Sequence, residues 1–110
     1  MNNNGFSPTF GSTLSIANDV TASTAAAIPK SADALLLTNT SATARAHVVV
    51  TQYQSEGDAL PTGDAPTTST GLPILPNQRI MVYIGPGLNA IRAIATAADG
   101  VLLVTPGNLI

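Results

Sequence analysis

The chain has 110 residues, six acidic and four basic side chains and no cysteine. A length of this order closes one core; disulfides, thiolate metal sites and a cysteine nucleophile are excluded, and the dispersed cations Lys30, Arg45, Arg79 and Arg92 leave no electrostatic footprint for nucleic acid. Charged residues reach only 9%, against roughly 25% in ordinary soluble domains, so Thr, Ser, Asn and Gln must cover the surface, and copies of the chain repel one another weakly.

Hydrophobic residues make up 45% but aromatics only 4%, with no Trp, which predicts a core of Ala, Val, Ile and Leu. The opening "MNNNGFSPTFGST" has neither a basic start nor an apolar run, so no secretory signal is expected there, and no later run has the length of a membrane-spanning helix. Residues 1–13 read as an extended arm, and 14–110 as a single domain. Phe6 and Phe10, the only two Phe, either lie in a frayed terminus or anchor the arm on a neighbouring subunit.

Beyond the arm the chain divides into short strand-like runs: residues 13–17, 21–29, 34–40, 44–53, 79–85, 90–97 and 101–105. Turn residues separate them at "IPKSAD", "NTSATA", "GPGLN" and "AADG", and no run holds a helical period. The expected fold is all-β: an antiparallel β-sandwich or jelly-roll-like barrel of seven to eight short strands. Side chains two apart share a strand face, so Ala46, Val48 and Val50 form one face and Arg45, His47, Val49 and Thr51 the other. By the same rule Ile80, Val82 and Ile84 face the core, with Arg79, Met81 and Tyr83 opposite. These outer faces are either half-wet sheet surface or subunit contacts.

Residues 54–73 lack strand character and carry Glu56, Asp58 and Asp64, which predicts a long exposed loop. Pro73 and Pro76 cannot donate to a ladder and belong before a strand or on an edge. "GPG" at 85–87 turns the chain hard after "RIMVYI". The tail "TPGNLI" places Leu109 and Ile110 after a turn, either tucked on their own core or presented to a partner.

Candidate chemistry is sparse. Serine catalysis needs a base, and the one imidazole, His47, sits in an apolar strand with no G-x-S-x-G elbow in the chain. The acids of the 54–73 loop read as solvated, and their spacing fails the calcium-loop pattern. "GPGLN" separates strands and does not open a helix, so it is a turn and not a phosphate cradle. "NTS" at 39–41 matches the glycosylation pattern by chance. No catalytic, cofactor-binding or metal-ligating residue is expected. The contact candidates are Phe6, Phe10, Arg45, His47, Tyr53, Arg79, Tyr83, Leu109 and Ile110.

Taken together, "FSPTFGST", "LLLTNT", "LPILPNQ", a strand closed by "GPG", "AIRAIA" and "VLLVTPGN" span nearly the whole chain, and the set resembles the small virion structural proteins of tailed bacteriophages. The resemblance carries over no individual functional residue. It implies a small β-sandwich built into the particle: a non-enzymatic head decoration, or cement, protein on the capsid lattice, assembled in the host cytoplasm. Expected partners are further copies of itself, as a homotrimer or other small cyclic oligomer, and the major capsid or other virion proteins. A neck, tail or fibre-base component is the alternative within that class. Outside it stand a carbohydrate-binding module using Phe6, Phe10, Tyr53 and Tyr83, and a hydrolase using His47.

Overall fold

A computed structural model describes residues 6–8, 13–53, 66–85 and 87–109. Among them are nine strands and no helix: β1 (Phe6–Pro8), β2 (Leu14–Ala17), β3 (Ala26–Ile28), β4 (Ala34–Asn39), β5 (Ala46–Gln52), β6 (Leu72–Ile74), β7 (Arg79–Tyr83), β8 (Asn89–Ala95) and β9 (Val101–Leu109). All pairings are antiparallel. The first sheet runs β1-β9-β4-β7, with β2 also on β9, and the second runs β3-β8-β5-β6.

From β2 to β9 the chain changes sheet at every step except β5 to β6. That gives the orders 2-9-4-7 and 3-8-5-6, the eight-stranded jelly roll of two interlocked Greek keys. The all-β antiparallel fold read from the turn spacing is observed; of its two alternatives, a sandwich or a jelly-roll-like barrel, the chain forms a two-sheet sandwich with jelly-roll connectivity, and β1 adds a short ninth strand.

Alternation explains the core. Leu35 and Leu37 of β4, Leu102 and Val104 of β9, Ala46 and Val48 of β5, Ile74 of β6 and Ile91 and Ala93 of β8 project inwards and are buried, while Ile80, Val82 and Ile84 pack against them from the β7 side. The two sheets thus interdigitate aliphatic side chains, as a chain nearly devoid of aromatics requires.

A buried polar cluster fixes one end. Asn39, at the end of β4, donates through Nδ2 to the carbonyls of Ala44, Ile74 and Leu75 at 2.8, 3.1 and 3.2 Å, and its Oδ1 accepts from the Ser41 amide and from Asn18 Nδ2. Five bonds on one buried amide tie three turns together. This also disposes of "NTS" as a glycan acceptor in the folded chain, because Asn39 is 1% exposed and its amide nitrogen is fully committed.

Several boundaries differ from the sequence reading. The described part of the arm is docked on its own chain, not extended away from it: Phe6, Ser7 and Pro8 pair with Leu109, Asn108 and Gly107. Strand β9 runs through "TPGN" without the expected turn, and Pro106 falls between the residues paired to β2 and those paired to β1. Of residues 21–29 only Ala26–Ile28 form a strand. The long loop ends earlier than 73, since Leu72 and Pro73 belong to β6, and Pro73 sits on an edge strand as its missing donor demands. Phe10, Ile110 and the acids Glu56, Asp58 and Asp64 lie outside the described residues.

Candidate functional site

The open side of the sandwich lies where β7 and β6, the edge strands of the two sheets, face each other. The turn joining them is tight. The Gln78 amide donates to the Leu75 carbonyl at 3.0 Å, Pro76 occupies the second position, and Asn77 at the third has φ of 60°. A positive φ after proline marks a type II turn, and Asn tolerates it better than most residues. The side chain of Gln78 accepts from the Leu75 amide at 2.8 Å, and the Asn77 amide donates to the Ser41 carbonyl at 2.9 Å. At the other end of β7, where the chain passes from the first sheet to the second, Gly85 and Gly87 have φ of 81° and 119°, the positive value expected of Gly87, and Pro86 between them lies outside the described residues.

Between these edges lies a partly open cleft of about 310 Å³. Inward-facing Leu35, Leu37, Val82 and Ile84 line it from the first sheet, Val48, Val50, Gln52 and Leu72 from the second, with Tyr83 at the rim. Asn89, the first residue of β8, also lines it. The Asn89 Nδ2 donates to the Gly85 carbonyl at 3.2 Å, while its Oδ1 is buried and has no hydrogen-bond partner among the described residues. A buried acceptor left unpaired in an apolar cleft costs about 1–3 kcal/mol. Sequence reading did not single out Asn89, since an Asn after "GPGL" reads as turn chemistry.

Among the described residues five large hydrophobic side chains are exposed, and four of them lie on or between these edges: Leu72 on the cleft side of β6, Leu75 in the turn, and Met81 and Tyr83 on the outer face of β7. Arg79, Met81 and Tyr83 face outward and Ile80 and Val82 inward, as alternation predicts.

His47 is placed differently from the open sheet face expected. It points to the outer side of β5, yet it is buried, because residues 67–71 fold back over that face. Arg45 Nε donates to His47 Nε2 at 2.8 Å, so the ring proton resides on Nδ1, which donates to the Thr70 carbonyl at 3.0 Å. Both ring nitrogens are engaged, and neither is left to take a proton from a nucleophile in this arrangement. The covering turn is self-bonded: the Thr70 amide donates to the Thr67 carbonyl, and the Thr67 and Thr70 hydroxyls meet at 2.7 Å.

The remaining contact candidates do not converge on one patch. Arg79 and Tyr83 share the outer face of β7, Arg45 and His47 belong to the outer side of the second sheet, and half-buried Tyr53 follows the end of β5. Tyr53 follows a strand of the second sheet and Tyr83 ends a strand of the first. Backbone pairing brings Phe6 opposite Leu109, at the flank of the first sheet away from β7. Among the described residues no cluster of three or more His, Asp or Glu could hold a metal ion.

Compared with known proteins, the chain matches no family model, and neither a curated protein nor a solved structure matches it.

Proposed function

We propose that this chain is a non-enzymatic structural protein of a tailed-bacteriophage particle, a decoration protein that binds the head lattice and stabilises it. The observation that carries the reading is the apolar outer row of edge strand β7, where Met81 and Tyr83 stand exposed side by side on a chain with only 9% charged residues. Apolar side chains grouped in this way are characteristic of surfaces that other proteins cover. The jelly roll supports the reading at the level of fold analogy, since viral shell proteins use it repeatedly, although lectins and cupins do as well. Partners on this reading are further copies of the chain, in a small cyclic oligomer, and the major capsid protein. A neck, tail or fibre-base position would use the same surface at one vertex.

The test is quantitative mass spectrometry of purified particles. A copy number close to that of the major capsid protein is the expected result. A small ring's worth would move the chain to the neck or tail, and absence from the particle would overturn the reading.

One observation favours a second reading, a ligand-binding module. Tyr83, 61% exposed, stands at the rim of a cleft holding an unpaired acceptor, Asn89 Oδ1. Glycan-array binding that is lost in Tyr83→Ala would promote it.

A further inference from the structure

We propose that two copies of the chain associate edge to edge through β7, antiparallel, across a two-fold axis passing beside Met81. The inference concerns the free protein and goes beyond the virion reading; it stands or falls without it.

β7 differs from the other edges. Strand β6 has three residues and contains Pro73; β3 has three and is followed by Pro29; β1 has three and contains Pro8. Proline and brevity are the usual protections of a sheet edge, since an exposed row of amides and carbonyls is a template for another strand. β7 has five residues, no proline and no inward-pointing charge, and among the described residues only β4 pairs with it. Strand β2, at the opposite flank of the same sheet, is shorter and exposes no large apolar side chain.

The strand is also complementary to itself. An antiparallel pair centred on Met81 places Arg79 opposite Tyr83 of the second copy, Ile80 opposite Val82, and Met81 opposite Met81. Directly opposed residues share a face, so the outer row reads Arg-Met-Tyr against Tyr-Met-Arg and the inner row is Ile and Val throughout. Each guanidinium meets an aromatic ring, an attractive pairing, and no like charges are opposed. The inner row would extend each cleft's aliphatic wall, covering Ile80 and Val82, which are now half-buried. A contact of this kind is isologous, which closes at two copies and leaves β1, β2 and the second sheet free for other partners.

The chain has no cysteine, so a single introduced one reports the register. Opposed residues in an antiparallel pair stand about 4.5–5.5 Å apart at Cα, within the span a disulfide bridges. Purified wild-type protein is expected to show twice the 11.1 kDa chain mass by light scattering or sedimentation. Met81→Cys should form a disulfide-linked dimer on mild oxidation, whereas Ser15→Cys, on β2, should stay unlinked. Met81→Lys sets two ammonium groups against each other on the axis and should give monomer, with an unchanged circular-dichroism spectrum because Met81 is already exposed. A monomeric wild type overturns the proposal, as does an oligomer whose mass Met81→Lys leaves intact, or cross-linking through Ser15→Cys in preference to Met81→Cys.

Discussion

The Ser41 hydroxyl donates to the carboxylate of Asp99, a residue 58 positions away, and the Thr43 hydroxyl donates to the same oxygen, Oδ2, at 3.0 Å. The Ser41 oxygen in turn accepts from the amides of Thr43 and Ala44 at 3.1 and 2.8 Å. The turn after β4 and the turn before β9 are thereby held together by one carboxylate on the protein surface.

These two hydroxyls, Ser41 first, hold the Asp99 carboxyl below its ordinary value of 3.8. A folded-state value lower than the unfolded one means that the ionised form favours folding. The contribution is complete above the ordinary carboxyl value and is lost as pH falls through the lower folded-state value. Asp99→Asn should therefore unfold at a lower temperature than wild type at neutral pH. That gap should shrink as pH is taken below 3.8. Thermal melts of both proteins across the acid range check the sign, and a gap that widens in acid would contradict it.

Next to Asp99, Gly100 has φ of +74°, and a Cβ built there would lie 2.9 Å from the Ser41 Cα and amide nitrogen. Gly71, with φ of +81°, would bring a Cβ to 2.8 Å from the Val48 carbonyl oxygen. In each case the obstacle is backbone, which cannot rotate away. Gly100→Ala and Gly71→Ala are each expected to cost about 1–3 kcal/mol, combining left-handed strain with the steric conflict. Denaturant melts give the values. For Gly71→Ala, faster proteolysis within 67–71 should accompany the loss, since that turn has to lift from β5.

The same turn depends on the imidazole under it. Removing the ring in His47→Ala leaves the Thr70 carbonyl without its donor, takes an acceptor from Arg45 Nε and opens space beneath residues 67–71. The expected loss is about 2–4 kcal/mol, from the broken bonds and the cavity together. Arg45→Ala should cost less, because the ring keeps its bond to Thr70. Equal losses in the two variants by chemical denaturation would argue that the guanidinium, not the ring, anchors the turn.

The cleft gives a prediction of opposite sign. Val50 is half-buried at its wall, so Val50→Ile adds one methylene to unfilled space. A gain of up to about 0.8 kcal/mol is expected, the worth of one buried CH₂. A loss would mean that the cleft walls are already in contact.

Alternation and turn chemistry made much of the fold legible. The faces of β7 and the apolar row of β5 followed from the two-residue period, the break after β7 from the Gly and Pro of "GPG", and the sandwich from the turn spacing. These are local properties, fixed by neighbours along the chain. The strand order 2-9-4-7 and 3-8-5-6 was not readable, because it is decided by which apolar faces meet across long separations. His47 shows the difference on one residue. Its strand and face were written in the sequence, but its burial depends on a turn more than twenty residues away folding back over it. The cleft was hidden for the same reason: Leu72 is unremarkable in the sequence, and only packing β6 and β7 as the edges of two facing sheets sets it across from Val82 in a cleft wall. Sequence alone thus determined the β class, the faces of β5 and β7 and the absence of thiol chemistry, but not β6, which it placed in a loop; the tertiary structure decided which strand edge is left unpaired among the described residues, since an edge exists only once every other strand has found its partner.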